Sequence, residues 1–151
     1  MITIKNTQRI VPINTKKITK MATAMLKALD YTDYDLGISF TGTKAMQTYN
    51  KMYRGKDTVT DILSFPYHEI LKPDKRIVVK DPEDKNLGDL IMCPSYVQKD
   101  ASNRWNQSFD ERLVTLLAHG IAHLLGHDHE TEKEYAQMLK VESLLIKAAA
   151  R

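Results

Sequence analysis

Cysteine is almost absent: Cys93 is the only one in 151 residues. No disulfide can form within the chain, and a zinc site built on two or more cysteines is excluded. The fold must therefore rest on its core, which 42% hydrophobic residues are enough to build. Long apolar runs are missing too. Nothing approaches the roughly 20 residues that cross a bilayer, and the opening Met1 to Lys5 has no secretory pattern. A soluble, cytoplasmic protein with no membrane partner is expected. The six glycines and five prolines nowhere gather into a linker, and no repeat or low-complexity tract divides the chain. One domain over residues 1–151 is the expectation. Aromatic residues make up 7% and form no ladder of the kind that stacks successive bases. A net charge of +3 is compatible with nucleic acid without demanding it.

What the chain does have is histidine in one place. Four of its five histidines fall in the eleven-residue run His119-Gly-Ile-Ala-His-Leu-Leu-Gly-His-Asp-His129. Imidazole is a preferred zinc ligand. His119 and His123 are four apart, so a helix projects them from one face. Gly126 can end that helix and let the chain fold back. The third ligand is then His129, with His127 and Asp128 as alternatives. His129 lies ten residues after His119, a spacing that recurs in metzincin proteases. His127 follows the glycine directly and would need a sharper reversal, so it is read as exposed or as a group behind the ligands. Asp128 could hold a ligand ring in its tautomer, or simply cap a turn. Three protein ligands leave a fourth position for water, the pattern of catalytic rather than structural zinc.

The rest of the chain supplies a frame. Ile2 to Lys5 alternates as a strand. Residues 15–29 carry an apolar stripe from Ile18 to Leu29 at helical spacing. Residues 36–41 read as a strand, 44–54 as a helix, 61–67 as a strand and 86–93 as another. Residues 68–86 hold Pro73, Pro82 and much charge, and read as a loop in which Ile77 to Val79 could form a short strand. Ser108 with Glu111, and Thr131 with Glu134, make capping boxes that open two late helices, the second running to about Ala148. Strands alternate with helices and the helices cluster late. The fold class is α+β or mixed α/β: a small mixed sheet packed with several helices.

From Leu113 to Leu125 the polar exceptions are Thr115, His119 and His123, each four apart. A helix apolar nearly all round is buried, so this stripe needs partners; an unpaired buried polar group costs about 1–3 kcal/mol. A metal would satisfy two imidazoles at once. In the H-E-x-x-H proteases the residue after the first histidine is the general base. Here it is Gly120, so a metzincin-like zinc peptidase would lack its base. Zinc still lowers the pKa of water to about 7.

The run resembles the signature H-G-x-x-H-L-x-G-x-D-H of the YbeY family of metal-dependent endoribonucleases. Arg54-Gly-Lys-Asp-Thr-Val-Thr-Asp-Ile-Leu-Ser-Phe-Pro66 is similar to that family's R-x-x-D-x-P-T-D-V-L-S-F-P, and Gly88-Asp89, Met138 and Glu142 also fit. Val59 stands where the family has proline, and Ala122 where leucine is common. The likeness spans roughly residues 36–145. It implies a small sheet with surrounding helices, one Zn2+ held by His119, His123 and His129, and cleavage of single-stranded RNA. It further implies maturation of the small-subunit ribosomal RNA 3′ end, ribosome quality control, and the ribosome or its proteins as partners. An arginine of the active cleft maps onto Arg54.

Residue chemistry agrees on Arg54. It ends a helix near Lys51 and Lys56, and a guanidinium contacts phosphate bidentately and stabilises charge on a phosphorane; the plain alternative is a helix-terminal cation facing the dipole. His119 and Arg54 are the candidate catalytic residues. Asp61 and Ser64 read as structural, Asn50 could share the Arg54 face, and Lys44, Lys51, Arg54, Lys56 and Lys85 could form a basic rim. The remaining alternative is a ribosome- or RNA-binding module with a structural zinc.

Overall fold

A computed structural model describes all 151 residues. Four strands, β1 (Ile2–Asn6), β2 (Asp35–Phe40), β3 (Ile62–Pro66) and β4 (Asn86–Met92), form one sheet in the order β1-β2-β4-β3. The first three in that order are parallel, and β3 runs antiparallel along β4 at the edge. Five helices surround it: α1 (Thr15–Ala28), α2 (Thr43–Arg54), α3 (Pro94–Asp100), α4 (Phe109–Leu124) and α5 (Glu132–Ala149). The α+β expectation holds.

Alternation decides which side of each strand is apolar. Leu36, Ile38 and Phe40 of β2, with Leu90 and Met92 of β4, turn to one face. There they meet the stripe Ile18, Met21, Ala22, Met25 and Leu26 of α1, and Leu113, Leu117, Ile121 and Leu124 of α4. Each such side chain contributes about 1.5–3 kcal/mol on burial. A smaller cluster, Met46 of α2 with Leu63 and Cys93, packs on the opposite face. The sheet is thus covered on both sides, and β3 stands between the two clusters.

The caps behave as their sequences require. Ser108 and Glu111 form the full reciprocal box at the start of α4. At α5 only half the expected box forms: Thr131 Oγ accepts the Glu134 N–H at 3.1 Å, while the Glu134 carboxylate takes the Thr131 hydroxyl. Residues 77–79 are not a strand. The Ile77 N–H donates to the Tyr31 hydroxyl at 2.9 Å, and the Tyr34 hydroxyl donates to the Ile77 carbonyl at 2.7 Å. Two side chains use the backbone groups a neighbouring strand would need. A π-helical turn, Ala101–Trp105, follows α3 and ends at Asn106 in the left-handed region (φ 49°); nothing in the residue pattern announced it.

Candidate active site

The histidine run sits at the C-terminal end of α4. His119 and His123 project one turn apart and are half-buried; His129 is exposed. Gly126 turns the chain back with φ 94°, a conformation that side chains rarely adopt. A Cβ there would also stand 2.8 Å from Leu71 Cβ. The reversal brings His129 over the helix end, and a ligand nitrogen from each of His119, His123 and His129 lies within 4.8 Å of the other two. The polar stripe of α4 is therefore the wall of a cleft rather than a buried seam.

Two groups fix the ring orientations. His119 Nδ1 lies 2.6 Å from Glu142 Oε1 of α5, and His123 Nδ1 lies 2.9 Å from the His127 carbonyl. A carbonyl and an ionised carboxylate only accept, so both Nδ1 atoms carry the hydrogen. Both Nε2 atoms are then lone-pair acceptors, and they face one another at 3.1 Å. No hydrogen bond joins two such atoms; a cation between them resolves the repulsion. Ligand nitrogens about 2.0–2.1 Å from a tetrahedral ion lie about 3.3 Å apart. The donor set fits a metal ion. Burial, and next the neighbouring His119, hold the His123 pKa below the usual histidine value, which favours the neutral form that metals bind.

At the turn the structure decides between the alternatives left open. Of the two placements left open for His127 the second holds: it is buried behind the ligands, and its backbone carbonyl rather than its ring steadies His123. Burial pushes its own imidazole pKa down. Asp128 holds no ligand ring: its carboxylate accepts the backbone N–H of His129 at 2.8 Å and so shapes the turn. The ring-holding acid is Glu142, to which residue chemistry had given no role. Its signal was present, because Met138, Val141, Glu142 and Leu145 follow helical core spacing and one of them is a carboxylate.

Opposite the histidines, the cleft is closed by β3 and the end of α2. It encloses about 640 Å³ and takes in Arg54, Asp61 and Ser64 together with the three imidazoles. Arg54 is exposed and engaged in no salt bridge. Asn50 is not a cleft residue. It is 4% exposed, and its side-chain amide donates to the Thr58 carbonyl at 2.9 Å, which fastens the loop after Arg54. Asp61 accepts the Ile62 N–H at 2.7 Å and stands 3.7 Å from Arg112. Of the expected basic rim only Arg54 lines the cleft; Lys51 leans on Asp57 and Lys85 pairs with Asp33. Arg104 and Arg112, unnoticed in the sequence, supply the other cleft cations.

Gly120 faces away from the cleft. A Cβ there would meet Ile62 Cδ1 and Leu90 Cδ2 at 2.8 Å, so α4 lies so close on β3 and β4 that those side-chain ends must shift to admit anything larger than hydrogen. A general-base glutamate at that position would have to displace both side chains and would start from the sheet side of α4, which counts against the peptidase alternative.

Fold and cleft together define a class: an α+β protein that sets three imidazoles suited to a metal ion opposite a free guanidinium suited to an anion. The family model described as Endoribonuclease YbeY matches residues 3–150. Endoribonuclease YbeY of Homo sapiens is 33% identical over 150 residues, covering 99% of this chain and 89% of its own. That of Alkaliphilus metalliredigens is also 33% identical, over 96% of this chain and 92% of its own. The solution structure of TM1509 from Thermotoga maritima shares the fold, with a TM-score of 0.60 at 22% identity over 96% of this chain and 89% of that one. The chain belongs to the YbeY endoribonuclease family.

Proposed function

We propose that residues 1–151 form a single-domain, zinc-dependent endoribonuclease that cleaves phosphodiester bonds of single-stranded RNA. The observation that carries this reading is the meeting of Arg54 with His119, His123 and His129 in one cleft, from segments far apart in the chain. The three histidines would hold the zinc. When bound, the ion supplies Lewis acidity: it lowers the pKa of water and neutralises charge on a phosphoryl oxygen. Glu142 and the His127 carbonyl keep the Nδ1 hydrogens of His119 and His123 in place, so that each Nε2 stays a donor of electrons. Arg54 binds the phosphate and offsets the negative charge that grows on it during cleavage.

The biological substrate in this reading is ribosomal RNA, in maturation of the small-subunit 3′ end and in ribosome quality control. The work is done in the cytoplasm with the ribosome or its proteins as partner. The relatives' shared name, Endoribonuclease YbeY, supports the RNA part of it. Metal-loaded protein should cleave single-stranded RNA, and Arg54→Ala should abolish cleavage while metal content stays unchanged. Cleavage retained by both Arg54→Ala and His119→Ala would sink the assignment; digestion of casein would revive the peptidase.

A further inference from the structure

Trp105 is the only tryptophan in the chain, and it stands on the wall of the cleft at the end of the π-helical turn. It is 45% exposed, yet its ring is held. The indole N–H donates to Asp100 Oδ2 at 3.0 Å, and the Arg112 guanidinium lies 4.1 Å from the ring centroid. Arg112 is itself only 9% exposed, its Nε is buried without a partner, and its one salt bridge, to Asp61, is long at 3.7 Å. Burying a guanidinium is costly unless something faces its charge; here the indole ring takes much of that role. The ring is thereby held at its N–H edge and by the guanidinium over it, while close to half of the residue stays exposed on the cleft wall. Arg104, from the same turn, lines the cleft with its guanidinium 5.5 Å from the ring. A rigid flat apolar surface flanked by cations is what a nucleotide's base and phosphate need side by side. A ring already fixed loses little freedom when a planar ligand lies on it.

We propose that Trp105 is a base-stacking platform that receives one nucleobase of the RNA strand whose phosphate lies between Arg54 and the histidines. The role of Arg112 is to position the indole. This rests on the ribonuclease reading above and adds to it the place where the strand is gripped.

Because no other tryptophan emits, the test reads the residue directly. Metal-loaded protein is titrated with a short 2′-O-methyl oligoadenylate and, separately, with an abasic oligomer of equal length and charge. Emission follows the indole, and anisotropy of end-labelled oligomer follows binding. The expected result is strong quenching by the oligoadenylate and little by the abasic strand. Trp105→Ala should weaken oligoadenylate binding about tenfold or more, with the abasic strand bound as before and Trp105→Phe recovering much of the loss. Binding seen by anisotropy without quenching would overturn the platform and leave the ribonuclease standing. Equal quenching by both oligomers would also overturn it. Should neither oligomer bind and no single-stranded RNA be cleaved, the ribonuclease reading would fall as well.

Discussion

The two walls of the cleft are built on opposite terms. On the α4 wall most groups are held: the His119 and His123 rings by Glu142 and the His127 carbonyl, and the backbone, though not the exposed ring, of His129 by Asp128. On the α2 wall the Arg54 side chain is exposed and unpaired, and only the loop behind it is fastened, by Asn50. The difference fits what each wall would bind in the proposed function. Residues proposed to hold a metal ion gain from standing in register before it arrives, and the second nitrogens of His119 and His123 are committed accordingly. A guanidinium that takes up a phosphate must keep its donors free.

Single substitutions on the two walls should therefore fail differently. The largest effect is expected at His119→Ala, which should lose both bound metal and cleavage, whereas Arg54→Ala should lose cleavage alone. Metal analysis beside an RNA cleavage assay separates them, and loss of metal from Arg54→Ala would erase the contrast. Next comes Gly120→Glu, the substitution that would restore a protease-like sequence. Overpacking costs about 1–3 kcal/mol, and a carboxylate buried against Ile62 and Leu90 adds more. A thermal melt should show severe destabilisation; a stable variant with peptidase activity would mean that α4 can roll.

Glu142→Gln should keep the fold and weaken metal affinity about 10- to 100-fold, read by competition with a coloured chelator. Unchanged affinity would show that the His119 ring needs no carboxylate. Asn50→Ala leaves the Thr58 carbonyl short of a partner, at about 1–3 kcal/mol in denaturant titration. It should raise KM for RNA without lowering metal content. The smallest effect is expected at Lys85→Ala, far from either wall. Its hydrogen bond to Asp33 holds that carboxyl below the usual carboxylate range. The sign follows: any stabilisation from this pair is present above the ordinary aspartate pKa and fades as pH falls through the lowered one. Both groups are exposed, so the pH–stability profile should barely move.

Much of the frame was legible from residue pattern. The strands β1, β2, β3 and β4 and the helices α1, α2, α4 and α5 fall within a residue or two of where periodicity and capping residues put them. The failures share a cause. Ile77 to Val79 looks like a strand because it is apolar and β-branched, but Tyr31 and Tyr34, more than forty residues away, take its backbone groups. His127 reads either as exposed or as a group behind the ligands until the folded chain buries it. Asn50 shares a helix with Arg54 but faces the loop. Arg104, Arg112 and Trp105 carry no motif and become cleft residues only because the π-helical turn and α4 bring them beside β3.

The sequence by itself determined the ligand spacing of His119 and His123, the reversal at Gly126, the missing base at position 120 and the likeness to the YbeY family. All of these are local, set by helical periodicity, by glycine's access to positive φ and by side-chain chemistry along one stretch of chain. Only the tertiary structure decided which carboxylate holds His119, which side of α4 Gly120 faces, and what stands across the cleft. Those depend on the sheet order β1-β2-β4-β3, which lays α4 across β3 and β4 and brings α5 and the end of α2 to the same opening. Contacts between residues so far apart in the chain leave no period in the sequence, because packing is settled by complementary shape and charge after the local elements have formed.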